Sequence, residues 1–245
     1  MVSAITDFVS WRMGLIVIGI LYLAVGIAFF MLRPKPKYQR QRQSGGLQLI
    51  KTFHTALANK KLLWIYLVAF LIMGSFVAVF NFISYVLLAP PYSLSQTVVG
   101  LLFVVYLFGT FSSTYMGRLS DQHGNGRVLI LGLLIMLTGG LLTLLQPLVF
   151  KFIGLAIFTF GMLGSHSVAC GWVGKLNQGD KAQSSSMYMF FYYAGASSLG
   201  TLGGVFLESY GWSGVIGMVA AAVIICLLVV VRLELAVRQH LLWHH

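Results

Sequence analysis

The chain has 245 residues, of which 58% are apolar and only 9% charged, and its mean hydropathy is +0.89. A soluble domain carries roughly 25% charged residues, so a water-soluble globular fold and a disordered chain are both excluded, leaving a helical membrane protein. The net charge of +11 lies between apolar runs, which makes the membrane surface its partner and argues against nucleic acid.

A helix that spans lipid needs about 20 apolar residues, because unpaired backbone is not tolerated in hydrocarbon. Seven runs qualify: 13–32, 62–89, 97–115, 128–145, 150–172, 186–207 and 213–231. Pro90-Pro91, Gly124-Asn125-Gly126, Gln146-Pro147 and Tyr210-Gly211-Trp212 punctuate them. The carboxylates Asp7, Asp121, Asp180, Glu208 and Glu234 all sit at or beyond run ends, as expected where each would cost about 2.5 kcal/mol or more at a helix centre. Trp11, Trp64, Trp172 and Trp212 also fall at span ends, where an indole can bury its ring and keep its N–H wet.

Between the first two runs, Arg33-Pro34-Lys35-Pro36-Lys37 reads as an extended basic linker. Leu47, Ile50, Phe53 and Leu57 then recur at helical spacing, which predicts a short amphipathic helix on the inner leaflet or a solvated connector. This stretch holds eight Lys and Arg between Arg33 and Lys61 and no acid, so the positive-inside rule places it in the cytoplasm. Alternate loops add Arg118, Arg127, Lys175, Lys181, Arg232 and Arg238 to the same side, leaving Arg12 and Lys151 outside. The expected topology is N-terminus outside and C-terminus in the cytoplasm. The odd number of runs, with a long basic loop after the first, predicts a segment of something larger.

Polarity is shared unevenly among the runs. The first, fourth and seventh carry almost none, while Asn81 and Tyr85, then Tyr106, Thr110 and Ser113, then Thr159, His166 and Cys170, then Tyr193, Ser197 and Thr201 form helical stripes in the others. Such faces point at protein or at a watered cavity. The order polar, polar, apolar, repeated, is what two three-helix repeats would give. Gly154, Gly161 and Gly164, Gly200 with Gly204, and Gly217 with Ala221 predict close helix packing.

His166 is the one charge-capable side chain well inside a run. It can exchange a proton near neutral pH, or it is a neutral imidazole bonded to Ser165, Ser167 or a neighbouring helix. Asn81, Tyr106, Tyr192 and Tyr193 can bond or stack on a substrate, or join helices to one another. Tyr192 and Tyr193 are about 100° apart on a helix, so at most one points squarely inward. Enzyme readings fail. Gly195-Ala196-Ser197-Ser198 lacks the closing glycine of an intramembrane serine protease, the last run has no lysine for a Schiff base, and no HExxH, CxxC, P-loop or GxGxxG is present. Cys170 and Cys226 lie inside apolar runs and make neither a disulfide framework nor a zinc spacing. No metal or cofactor is expected.

Between the third and fourth runs stand Gly117, Leu119, Asp121, Gly124 and Arg127, which physically make a tight turn with an acid near a helix start. Asp121 can pair with Arg118 or cap the next helix. This loop resembles the Gly-x-Leu-x-Asp-x-x-Gly signature of the major facilitator superfamily, with Gln122, Asn125 and Gly126 where that family usually has basic residues. Further likeness rests on Thr6-Asp7-Phe8, Trp11-Arg12, Met73-Gly74-Ser75-Phe76-Val77, Gln96 with Val98-Val99-Gly100-Leu101, His166-Ser167-Val168-Ala169 with Trp172, Tyr192-Tyr193, and Gly200-Thr201-Leu202-Gly203-Gly204-Val205-Phe206.

The resemblance implies an all-α integral membrane fold of seven transmembrane helices, one six-helix half of a major facilitator plus one preceding span. Residues 1–32 would be the last span of an N-terminal half otherwise absent from this chain, 33–61 the cytoplasmic linker and 62–245 the six-helix bundle. It implies a cavity lined by the four polar spans and residence in a bacterial inner membrane. It also implies proton-coupled efflux of a small organic solute, with an N-terminal half, as a separate chain, for partner. Asp121 would help latch the cytoplasmic side against that half, and this chain alone is expected not to transport. An inert remnant or an accessory membrane subunit is the alternative.

Overall fold

The computed structural model describes residues 11–32, 59–176 and 181–242. The linker, the amphipathic stretch, Thr6-Asp7-Phe8, Asp180 and Arg238's side chain lie outside the described residues. Helices carry the fold, and no strand occurs among the described residues. They are α1 (Trp11–Leu32), α2 (Lys60–Leu88), α3 (Gln96–Gly100), α4 (Tyr106–His123), α5 (Asn125–Leu142), α6 (Leu148–Leu176) and α7 (Lys181–Leu242), with a 3₁₀ turn at Leu101–Val105 between α3 and α4. By length and apolarity α2, α5, α6 and the part of α7 at Lys181–Ala236 can each cross a membrane, and Ile16–Leu32 is a shorter apolar helix.

Local chemistry sets the boundaries. Asn59 starts α2 by accepting hydrogen bonds at its Oδ1 from the Lys61 and Leu62 amides, two of the donors a helix start leaves unpaired. Gly124 separates α4 from α5 with φ +91°, a conformation other L-residues rarely adopt. Gly211 does the same within α7, at φ 63° and ψ −158°, a region open essentially to glycine alone. The loop expected at Tyr210-Gly211-Trp212 is therefore a one-residue bend. It divides α7 into arms 181–210 and 212–242, each longer than the about 20 residues of a crossing. The third expected run is not one continuous helix: it breaks into α3, the 3₁₀ turn and α4.

Packing follows a crossed pattern. α2 lies against both arms of α7, while α6 lies against α4 and α5. In each case the first helix of one three-helix set packs on the second and third helices of the other. α2 meets the first arm where Gly74 faces Leu199 and the Gly195 carbonyl and where Gly203 faces Ala78 and Phe82. It meets the second arm at Cys226, whose Sγ is 4.0 Å from the Val68 carbonyl. α5 and α6 touch backbone to backbone, with Gly139 against the Phe158 amide and Gly161 against Met136. This seam uses the expected Gly154 and Gly161 together with Gly132 and Gly139. By contrast, Gly217 has open space beside it and Ala221 is exposed, so that pair joins no described helices.

α1 stands apart in character. From Ile16 to Leu32 every residue but Ile18 is exposed, and its surface is apolar all round, as a lipid-facing helix requires. Two tryptophans depart from interfacial anchoring. Trp172 is buried in the core, and the Trp212 indole N–H donates to Thr143.

Candidate functional site

Residues i and i+4 share a helix face. On α6 this pairs His166 with Cys170, and on α7 it pairs Tyr188 with Tyr192. The two faces meet. The half-buried His166 places Nδ1 3.0 Å from the Tyr188 hydroxyl, and its ring centroid is 4.5 Å from that of Tyr192. Cys170 Sγ stands 3.8 Å from Nε2 and 4.0 Å from Nδ1. The tyrosine rings stack at 6.3 Å. Tyr188 and Tyr192 are both buried, so this is a polar cluster embedded between two apolar helices.

Of the partners expected for His166, the neighbouring helix is the one found. Ser167 donates instead to the Ser113 carbonyl, and the buried Ser165 hydroxyl makes no hydrogen bond. Tyr193 turns away from its neighbour, as adjacent helical positions must. It is 63% exposed, meets Tyr192 edge-on at 5.4 Å, and lines an open groove of about 400 Å³ with Ser186, Met189, Phe190, Ala194 and Ser197. The groove lining is mostly aromatic and aliphatic, with one thioether, three hydroxyls (Ser186, Tyr193 and Ser197) and no charge.

The other expected residues lie elsewhere. Tyr106 packs edge-on to Phe76 at 5.4 Å and tilted on Phe80 at 5.2 Å, joining α4 to α2. Asn81 is exposed on α2, outside the His166 cluster. The stripe of Tyr106, Thr110 and Ser113 is largely structural. Thr110 donates to the Tyr106 carbonyl, and Ser113 donates to Leu163 across the seam with α6. Ser112, outside the expected stripe, donates to Phe160 at 2.5 Å.

The signature loop sits where α4 and α6 end and α5 begins. Asp121 pairs with Lys175 of α6 at 3.1 Å, not with Arg118, and Lys175 also donates to Asn125 Oδ1 at 3.1 Å. Asn125 is buried and its Nδ2 reaches the Val168 carbonyl. Thus the residue standing where the family usually has a base takes a structural role. Leu119 packs against the core, Gly117 lies beside Ser167, and Arg127 is exposed.

At the opposite end, Lys151 is buried and donates to the Thr143 carbonyl at the end of α5. It stands 5.8 Å from the centroid of Tyr92, and Tyr92 donates to the Gln146 carbonyl. Sequence reasoning missed Tyr188 and this lysine network. Tyr188 was findable, since it lies one turn before Tyr192 and matches the His166–Cys170 spacing. Both cysteines are free, and among the described residues no three of His, Cys, Asp and Glu gather.

Comparison with known proteins fits this architecture. The chain is 40% identical over 225 residues to the "Uncharacterized MFS-type transporter YybF" of Bacillus subtilis, covering 91% of this chain and 55% of that protein. It is 40% identical over 229 residues to the "Inner membrane transport protein YnfM" of Escherichia coli, covering 94% and 55%. An "Uncharacterized transporter" of Buchnera aphidicola is 34% identical over 232 residues, covering 95% and 56%. The chain therefore spans about half the length of the curated relatives it matches. Residues 79–241 match the profile of the Major Facilitator Superfamily, and with an all-helical bundle of membrane-crossing length around the signature loop, the chain belongs to that superfamily.

Proposed function

We propose that residues 62–245 form one of the two six-helix bundles of a secondary carrier for a small organic solute, with 1–32 as a preceding span and 33–61 as a cytoplasmic linker. The crossings would number seven: α1, α2, the broken segment 96–123, α5, α6 and the two arms of α7. The likeness to relatives printed as transporters supports this reading, as does the crossed packing of two three-helix sets. In alternating access two bundles rock about a site near mid-membrane, so this bundle needs a second one to enclose solute, either as a further segment or as another chain. The preponderance of Lys and Arg on alternate loops supports N-terminus outside and C-terminus inside, in a bacterial inner membrane.

One observation carries the assignment of the pathway: His166, an ionisable group at membrane depth, is held by Tyr188 and Tyr192, and Tyr193, the next residue on the same helix, lines an open groove. Intramembrane ionisable groups are retained for function by default. In this reading His166 carries the coupling proton or bonds the solute, Tyr193 contacts the solute and the direction is efflux. Asn81 and Tyr106 would line the same route from α2 and α4, and Asp121 would latch the signature end.

The test is solute flux in proteoliposomes holding the chain together with a six-helix N-terminal bundle, screened over small organic solutes. His166→Ala is expected to lower flux at least tenfold, and vesicles holding this chain alone are expected to show none. Flux from the chain alone, or unchanged flux in His166→Ala, overturns the respective part of the proposal. Cysteine labelling that reached residues 33–61 only from the exterior would reverse the orientation.

A further inference from the structure

We propose that the stripe Ser186, Phe190, Tyr193 and Ser197 on the first arm of α7 is a subsite for an uncharged aromatic ring of the solute; this rests on the carrier reading and gives that solute its class. The spacing i, i+4, i+7, i+11 puts the four side chains on one helix face. A hydroxyl stands at each end and two rings lie between, over about 16 Å of helix. With Met189 and Ala194 they line the groove of about 400 Å³, a size within the roughly 300–1,000 Å³ range of small-molecule sites.

The two rings are held from behind. Phe190 meets Phe191 edge-on at 5.6 Å and 87°, and Phe191 stacks on the buried Tyr66 of α2 at 5.5 Å and 6°. Tyr193 meets Tyr192 edge-on at 87°, and Tyr192 lies against His166 of α6. Each outward ring is thus braced by a neighbour that is itself anchored on a different helix. Exposures of 61% for Phe190 and 63% for Tyr193 leave each with ring surface open. Aromatics that merely face lipid need no such bracing: the exposed Phe111 and Tyr115 of α4 stack on one another at 6.1 Å and 11°. Fixing a ring in advance removes an ordering cost from binding.

Charge sets the ligand class. From Ala182 to Leu207 the arm has no charged or imidazole side chain. Lys181 and Glu208 lie about 8 Å before Ser186 and about 16 Å beyond Ser197 along the axis. A charged group docked on this wall would be desolvated without a counter-ion. A neutral ring makes offset or edge contacts with Phe190 and Tyr193 and a sulfur contact with Met189. Ser186 donates to the Ala182 carbonyl, which leaves its oxygen lone pairs for a donor carried on the ring. A cation held on the ring faces is the competing occupant, and the test separates the two.

The probes are three benzophenones that share one photoreactive ketone: uncharged 4-methylbenzophenone, anionic 4-benzoylbenzoate and cationic (4-benzoylbenzyl)trimethylammonium. They are applied to the unaltered chain in lipid nanodiscs and the adducts mapped by mass spectrometry. Excited benzophenone inserts preferentially at methionine. Adducts at Met189 therefore report the subsite, and adducts at the more exposed Met31 of α1 report partition into lipid. The uncharged probe should label Met189 saturably and at least fivefold over Met31, with excess diphenylmethane suppressing Met189 alone. The charged probes should label Met189 at least fivefold less. Tyr193→Ala should weaken labelling at least fivefold, Tyr193→Phe should hold it within twofold, and Phe191→Leu, which removes only a brace, should weaken it severalfold. Labelling that does not saturate, Met31 labelled as strongly as Met189, equal or stronger labelling by either charged probe, or no change in Tyr193→Ala overturns the proposal. Flux in the proteoliposome test with Met189 unlabelled removes the subsite and leaves the carrier reading. Saturable Met189 labelling with no solute carried removes the carrier reading and leaves a ring-binding groove.

Discussion

α6 carries a lysine at each end, and the two are held by different physics. At the signature end Lys175 is 55% exposed and pairs with an Asp121 that is 73% exposed, at 3.1 Å. At the other end Lys151 is 4% exposed, and its partners are the Thr143 carbonyl and the face of Tyr92. Where water reaches, an opposite charge suffices and is worth little. Where it does not, the ammonium is placed at the carbonyl end of α5, the negative pole of that helix. The buried arrangement also shares its acceptor. Trp212, from the second arm of α7, donates to the same Thr143 carbonyl at 3.2 Å. One carbonyl therefore ties α5, α6 and α7 together, while at the exposed end Lys175 ties α6 to α4 through Asp121 and to α5 through Asn125.

A double-mutant cycle breaks this comparison most sharply. Lys151→Met removes the charge, keeps the apolar stem and leaves Trp212 on the carbonyl, so it should cost about 1 kcal/mol or less. Trp212→Phe removes the one N–H shared by the Thr143 carbonyl and hydroxyl and leaves Lys151, again about 1 kcal/mol. Together they orphan a buried acceptor, which adds about 1–3 kcal/mol. Denaturation of the purified protein in mixed micelles should give a total loss of about 3 kcal/mol with coupling above 1 kcal/mol. Additive losses would mean that the two donors act independently.

The next effect lies where Gly139, near the end of α5, meets Phe158 of α6. A Cβ on Gly139 would run into the Phe158 amide, with the Gly154 carbonyl and Phe158 Cα both at 2.7 Å. These are backbone atoms, which no rotamer change can move aside. Overpacking costs about 3 kcal/mol at its upper range, while alanine returns about 1 kcal/mol of helix propensity. Gly139→Ala should therefore lose about 2 kcal/mol. Gly217→Ala, with open space beside it, should lose nothing and serves as the control. Equal melting of the two variants would show that α5 and α6 do not rely on the seam.

Continuous apolarity made α2, α5 and α6 legible: the runs 62–89, 128–145 and 150–172 lie within three or four residues of Lys60–Leu88, Asn125–Leu142 and Leu148–Leu176. The break between α3 and α4 was not legible, because the switch to i→i+3 bonding at Leu101–Val105 leaves the apolar pattern unchanged. The polar stripes show the same division in the site. Polarity at membrane depth says that a group must be satisfied, not by what. His166 finds the Tyr188 hydroxyl, whereas Ser112, Ser113 and Ser167 find backbone carbonyls across the α4–α6 seam. Asp121 shows it at the surface: the sequence offers Arg118 three residues away, and the fold supplies Lys175 at 54 residues' separation.

That last pairing gives the smallest expected effect and completes the contrast. Asp121→Asn retains the side chain's size and one oxygen, so Lys175 keeps an acceptor there as well as Asn125 Oδ1. Only the exposed Coulomb attraction is lost, and exposed pairs contribute about 0.2–1 kcal/mol. The loss should stay under about 1 kcal/mol at low salt and shrink toward zero at about 1 M salt, where the screening length falls to about 3 Å. The Lys151 and Trp212 cycle, buried and built on a neutral carbonyl, should hold its coupling across the same range. Coupling that disappeared with salt at both ends would mean that water reaches Lys151, and the distinction between the two ends of α6 would vanish.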